Sequence, residues 1–234
     1  MSIGFGHLAR IGHLYPSGGL CDFEIQAMAP EGVQFVTTRL PFRDTSIASD
    51  RTLIDDIEAH AQLLADAKVD LIATNCTAAG VVNGPDAINV RVKAATNIAA
   101  VTTIEAVLAA CEALGVKKLG LVTAYGEHVV AAERTFLAQH GLKVEAEASR
   151  ACRTPFEQGT LPPEVWFDIA TRLPREFDAV LISCAGIRVS GVIAAIEKEV
   201  GRPVIASNAA LLWHCLRKLE LRVRSPGYGV LLDG

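Results

Sequence analysis

Residues 69–77 read VDLIATNCT, and residues 177–185 read FDAVLISCA, 108 positions further on. Each stretch places an aspartate before a mostly apolar run and a cysteine six residues after that aspartate. Short apolar runs bounded by turn-forming residues predict buried strands. The same offset relates Gly12 to Gly120, each inside an [IL]-G-x-[LV] run, as it relates Asp70 to Asp178 and Cys76 to Cys184. Three coincidences at one offset predict a unit written twice.

Working outward, strands are expected at 7–15 and 33–38 before the first stretch. A helix is expected over 51–67, with Leu53, Ile57, Ala61 and Leu64 on one face and Ser49 or Asp50 as its cap. A strand at 98–101 leads into a helix over 102–114, opened by a Thr102/Glu105 capping box and stopped by Gly115. The second half repeats the plan, with strands at 118–123, 142–148, 177–183 and 204–206. Its helices lie at 127–140, 164–172, 191–200 and 208–219, and Gly141 and Gly201 supply stops. Apolar strands alternating with helices predict an α/β fold whose parallel sheets are covered on both faces, a three-layer αβα arrangement.

Composition narrows the function classes. The chain has 234 residues, half of them apolar and 21% charged, which excludes disorder and leaves one large domain or two small ones. A net charge of −4 argues against a general nucleic-acid binder. Neither a membrane-length apolar run nor a secretory leader is visible, so a cytoplasmic protein is expected, without membrane or nucleic-acid partners. Six cysteines stand at 21, 76, 111, 152, 184 and 215, with no C-x-x-C pair and no matching histidine set. They predict neither a metal site nor a disulfide framework. Cys111 and Cys215 fall mid-helix on apolar faces, and Cys21 and Cys152 carry no motif. The histidines are scattered; His13 lies nearest the expected cleft, with no carboxylate in view to tune it.

Cys76 and Cys184 remain, at the carboxyl ends of equivalent strands. There open parallel sheets bind ligands beside helix N-termini that favour anions. Two halves facing each other would put both thiols on one small carboxylate. Such a pair permits racemisation, one thiol taking the α-proton and the other returning one. It permits cis–trans isomerisation by addition of sulfur to an alkene, and decarboxylation with one thiol as proton donor. Each builds charge on a carboxylate, so donors should converge there. The candidates are Ser17, Asn75, Thr77, Tyr125 and Ser183, with Ala185 beside the second thiol. A non-catalytic carboxylate-binding module fits the same two-lobed plan.

The chain resembles the aspartate/glutamate racemase superfamily, in particular its branch of maleate cis–trans isomerases and arylmalonate decarboxylases. The resemblance rests on I-G-x-L-x-P-S at 11–17, N-C-T at 75–77, L-G-L-V-T-x-Y at 119–125, I-S-C at 182–184 and G-R-P-V-x-x-S-N-x-A-x-x-W at 201–213. It implies two pseudo-symmetric Rossmann-like (flavodoxin-like) halves over 1–96 and 97–205. Residues 206–234 would return to the first half, with the active site between the halves. It implies no metal and no organic cofactor, and a small carboxylate or dicarboxylate substrate. By this resemblance Cys76 attacks the double bond, Cys184 handles the proton, Tyr125 binds a substrate carboxylate and Thr77 serves an oxyanion pocket. The decarboxylases usually carry glycine at the first cysteine position, so two thiols point to isomerase or racemase chemistry. Two departures concern the substrate. Gly19 stands where maleate isomerases carry a gripping asparagine, and the loop at 153–158 (RTPFEQ) has no asparagine clamp. Pro155-Phe156 suits a larger or less charged substituent. The apolar helices allow a homodimer or higher oligomer.

Overall fold

In a computed structural model, which describes residues 6–234, two four-stranded parallel sheets are each flanked by helices. The first lobe comprises β1 (Ala9–Pro16), α1 (Asp22–Met28), β2 (Val33–Leu40), α2 (Ile47–Thr52), α3 (Ile57–Asp66), β3 (Leu71–Thr74), α4 (Thr77–Asn83), α5 (Pro85–Thr96) and β4 (Ala100–Thr102). The chain continues through α6 (Thr103–Ala113), β5 (Lys118–Thr123), α7 (Glu127–Gln139), β6 (Lys143–Ser149), α8 (Pro155–Thr160) and α9 (Pro163–Thr171). Then follow β7 (Ala179–Ser183), a 3₁₀ turn at Ser190–Val192, α10 (Ile193–Val200), β8 (Val204–Ala206), α11 (Ser207–Lys218) and α12 (Val230–Asp233). The strand orders are β2-β1-β3-β4 and β6-β5-β7-β8, one topology used twice.

The duplication extends to register. Ile11 pairs with Leu71 in the first sheet as Leu119 pairs with Ala179 in the second, each residue shifted by the same 108. The repeated aspartates pin these strands: Asp70 Oδ2 accepts the Arg10 N–H at 2.8 Å, and Asp178 Oδ2 accepts the Lys118 N–H at 2.8 Å. The repeated glycines let a helix close on the sheet. A Cβ at Gly12 would lie 3.0 Å from Leu64 of α3, and one at Gly120 would lie 2.7 Å from the Phe177 ring and 3.1 Å from Leu173. Most of the repeated pattern is therefore framework, and the cysteines at its end are what the framework presents.

The Thr102/Glu105 capping box forms as expected, and Gly115, Gly141 and Gly201 take the left-handed conformation that stops their helices. Three expectations are corrected. The helix expected over 51–67 is two helices. Ser46, not Ser49 or Asp50, caps α2 by accepting the Ser49 N–H at 3.2 Å, and the chain turns at 53–56 before α3. The first sheet also runs past residue 96, because β4 hydrogen-bonds to β3. Helices α4 and α5 occupy a stretch that showed no helical period. In α4 the small residues of TAAGVVN serve close packing: a Cβ at Gly80 would sit 2.7 Å from Ile104.

The core has two parts. The larger joins one face of the first sheet, through Ile11, Phe35 and Leu71, to α6, α11 and the whole second sheet. The smaller lies under the other face of the first sheet, where Leu14, Leu40 and Ile72 meet Leu53, Ile57 and Leu64. Helix α11 packs on α6 and reaches α1, so the C-terminal segment ties the lobes together. Among the described residues no helix is long and apolar enough to cross a membrane.

Candidate active site

Both sheets point their carboxyl ends at one small cavity. Its walls include both Cys76 and Cys184. Cys76 lies two residues past β3 as the N-cap of α4, with extended backbone at φ −147°, and Cys184 follows β7 directly. Of the other sequence candidates, Thr77, Tyr125 and Ala185 also line the cavity.

Ser17, Asn75 and Ser183 do not line it; the frame uses their hydrogen-bonding groups. The Ser17 hydroxyl donates to the Phe42 carbonyl and accepts the Phe42 N–H, closing the turn after β1. Asn75 donates through Nδ2 to Asn208 Oδ1 at 2.8 Å and to His13 Nε2 at 2.9 Å, and its Oδ1 accepts the Thr103 hydroxyl. Ser183 donates to the buried Glu133 carboxyl. His13 is fully buried and its pKa falls to about 3 through burial and the Arg39 charge, so it stays neutral and accepts from Asn75. It belongs to this structural network rather than to the chemistry.

The stretch at 201–213 now acquires a physical meaning. Ser207 accepts the Cys184 N–H at 3.1 Å and pairs with the Thr77 hydroxyl at 2.9 Å, so one hydroxyl from α11 holds both thiol-bearing strand ends. Asn208 donates to the Ala185 carbonyl at 3.2 Å. The first lobe grips the loop after Cys184 as well: Tyr15 donates to the Ala185 carbonyl, and the buried Glu24 carboxylate accepts from the Val189 and Ser190 N–H groups. These bonds span the lobes and fix the cavity's two walls relative to each other.

The thiols differ in surroundings. Cys184 accepts the Gly186 N–H at 3.3 Å; burial raises its pKa well above that of a free thiol, against the lowering effect of that N–H and of the nearby Tyr125 hydroxyl. Tyr125 is raised too, by burial and by the cysteines and carboxyls around it, so the phenol holds its proton. Cys76 is raised by burial and then by a neighbouring carboxylate, against a lowering contribution from the Ala79 N–H. That carboxylate is Asp50 of α2, 1% exposed, whose Oδ1 lies 3.8 Å from Cys76 Sγ. Sequence reading took Asp50 for a helix cap; the correct helix boundary, with Ser46 as cap, turns it inward.

Two other wall residues were missed, and both bear on the departures noted above. Tyr15 fills the space beside Gly19: a Cβ there would lie 2.6 Å from the Tyr15 ring, so no asparagine fits unless the ring moves. Gln158 of α8, 4% exposed, brings a carboxamide to the cavity from the loop that lacks asparagine. Its Oε1 sits 2.6 Å from where a Cβ at Gly186 would stand, so that glycine leaves room for it. The signal was the shared carboxamide chemistry of Asn and Gln. Cys21, Cys111, Cys152 and Cys215 are buried free thiols outside the cavity wall. Among the described residues no group of three His, Cys, Asp or Glu side chains could hold a metal ion.

The family model for arylmalonate decarboxylase matches residues 12–232. The arylmalonate decarboxylase of Bordetella bronchiseptica is 25% identical over 225 residues, 93% of each chain. The maleate isomerase of Alcaligenes faecalis is 25% identical over 252 residues, 96% of each chain. Among solved structures, a cysteine-to-serine mutant of the Nocardia farcinica maleate cis–trans isomerase, carrying a covalently bound succinylcysteine intermediate, superposes with a TM-score of 0.90. That pair is 23% identical, with 96% of this chain and 98% of that one covered. The chain therefore belongs to the arylmalonate decarboxylase family.

Proposed function

We propose that this family member is a cofactor-independent isomerase of a small unsaturated carboxylic acid, working through two cysteines. The observation that carries the reading is the pair of buried thiols, Cys76 and Cys184, on the walls of one cavity at equivalent strand ends. In the reaction, the Cys76 S–H bond breaks, its proton passing to a neighbouring base that later returns it, and the sulfur bonds to one alkene carbon as the π bond breaks. The electron pair moves toward the substrate carboxylate, held by Tyr125 and Thr77. Cys184 gives a proton to the adjacent carbon; the central bond is now single and rotates. Cys184 then takes a proton back, the alkene re-forms and the C–S bond breaks. The raised pKa of Cys184 suits it to carry a proton at neutral pH. The covalent succinylcysteine of the Nocardia enzyme supports sulfur addition in this fold. Gln158 offers its amide to the far end of the substrate, so a second carboxylate or another polar group binds there. Six buried free thiols fit a reducing compartment, and we place the protein in the cytoplasm.

Proton NMR in D₂O with maleate and 2-substituted maleates tests this reading. Trans-alkene signals should appear with wild type and vanish in Cys184→Ser. Absence of those signals from wild type, or full activity in Cys184→Ser, overturns it. The family relationship to arylmalonate decarboxylase motivates a second reading, with Cys184 protonating a decarboxylated malonate. It requires CO₂ release from substituted malonates that survives in Cys76→Ala and is lost in Cys184→Ala.

A further inference from the structure

The two thiols are equivalent by fold but not by company. Cys184 accepts the Gly186 N–H and lies near the Tyr125 hydroxyl, and among the described residues it hydrogen-bonds to no carboxylate. Cys76, which also has the Ala79 N–H near it, meets an acceptor: its thiol donates to Asp50 Oδ1. We propose that the Asp50 carboxylate is the catalytic base that takes the Cys76 proton as the sulfur attacks; the substrate step rests on the isomerase reading above.

Geometry holds the pair together. Helix α2, which carries Asp50, packs directly on α4, which Cys76 caps. The Asn83 side chain stitches the two helices by donating to the Asp50 and Ala79 carbonyls, both at 2.9 Å. Asp50 lines the cavity beside Cys76, and among the described residues Cys76 is the one hydrogen-bonding partner of its carboxylate and no cation pairs with it. A carboxylate buried without a cation or a backbone donor is costly, and such groups cluster at functional sites.

The charged and titratable groups around Asp50 are the Cys76 thiol, the Tyr125 phenol across the cavity and Asp44 in the preceding loop, with Cys184 beyond Cys76. Burial raises the Asp50 carboxyl to about 7, Asp44 adds to the rise, and the thiol lies far higher. The coupled pair therefore loses its first proton near pH 7, and the remaining proton resides on sulfur. The nucleophile is a thiol hydrogen-bonded to a base, not a standing thiolate. In the forward step the S–H bond breaks and an O–H bond forms on Asp50. The C–S bond forms, and the π pair moves toward the substrate carboxylate. In the reverse step the C–S bond breaks and Asp50 returns the proton to sulfur.

Alkylation of Cys76 by iodoacetamide, followed by peptide mass spectrometry from pH 5 to 10 without substrate, tests the pair directly. With Asp50 present the rate should rise to an inflection near pH 7 and level off. In Asp50→Asn it should climb tenfold per pH unit with no inflection there, falling at least tenfold below wild type at pH 7. Asp50→Glu should restore part of the plateau. In turnover, Asp50→Asn should lose the acid limb of kcat with KM little changed. Equal profiles in wild type and Asp50→Asn overturn the proposal. So does faster alkylation in Asp50→Asn at every pH, since the carboxylate then acts only by repelling a thiolate. The expected alkylation profile together with no isomerisation by wild type would sink the isomerase reading and leave Asp50 standing as base.

Discussion

The residues just before the two thiols show how far the halves have diverged. In the first lobe Asn75 is satisfied by neutral partners, His13, Asn208 and Thr103. In the second, Ser183 leans on Glu133, a carboxyl buried beneath the strand end whose second oxygen has no partner among the described residues. Beyond these positions the difference inverts. The first thiol donates to a carboxylate, and the second accepts a backbone N–H with a phenol nearby. A duplicated framework thus supports two unlike thiols, one donating to a carboxylate and one accepting a backbone N–H. The backbone symmetry places the sulfurs, and the asymmetry of their neighbours assigns their roles.

The largest effect that could break this comparison comes from exchanging the sulfurs. Cys76→Ser and Cys184→Ser should each lower isomerisation by roughly a thousandfold. Only Cys184→Ser should accumulate a covalent substrate adduct in intact-protein mass spectrometry, because the proposed mechanism has only Cys76 add to the alkene. An adduct in Cys76→Ser instead would reverse the assignment.

Next in size is a pH effect confined to the second lobe. Burial raises Glu133 to about 7 from an ordinary 4.5, so the folded state holds a proton that the unfolded chain has released. Between these values folding binds more protons than unfolding, and stability falls as pH rises. Glu133→Gln removes the titration. Melting curves should coincide near pH 4.5 and separate by pH 8, where the variant should be more stable by about 3 kcal/mol. Parallel curves across that range would show that Glu133 is not held protonated.

The repeated glycines sharpen the comparison at the level of packing. Gly120→Ala presses a methyl onto the Phe177 ring, whereas Gly12→Ala meets the more adaptable ends of Leu64 and Val69. Both should destabilise in urea titrations, the first by about 2 kcal/mol and the second by about 1 kcal/mol. A reversed order would mean that the second lobe yields more easily than its contacts imply.

The last expected effect lies in the substrate's far end. Gln158→Ala should raise KM about tenfold and change kcat little, as a lost hydrogen bond to a charged group does. A fall in kcat of the same size would move Gln158 from binding to the reacting centre.

The sequence by itself determined the doubled α/β plan and the two cysteines at its ends. Those signals are local: apolar strand runs, a capping box at Thr102/Glu105, glycine stops and one offset that survives as strand register. Family resemblance added the expected roles of Thr77 and Tyr125, and both residues line the cavity. Only the tertiary structure decided what surrounds the thiols. Asp50 looked like a cap because its neighbours Ser46 and Ser49 are equally good cap residues; packing of α2 on α4 turned it inward. Tyr15, Gln158 and Asp50 come from separate segments, and no period or spacing along the chain records that they meet. Ser17, Asn75 and Ser183 stand at strand ends as a site would have them, yet their hydrogen bonds go to the frame. A strand end tells where a ligand binds, while the choice between wall and frame depends on partners far away in sequence. The symmetric part of this protein is therefore legible along the chain, and the asymmetric part, which separates one thiol's chemistry from the other's, exists only after folding.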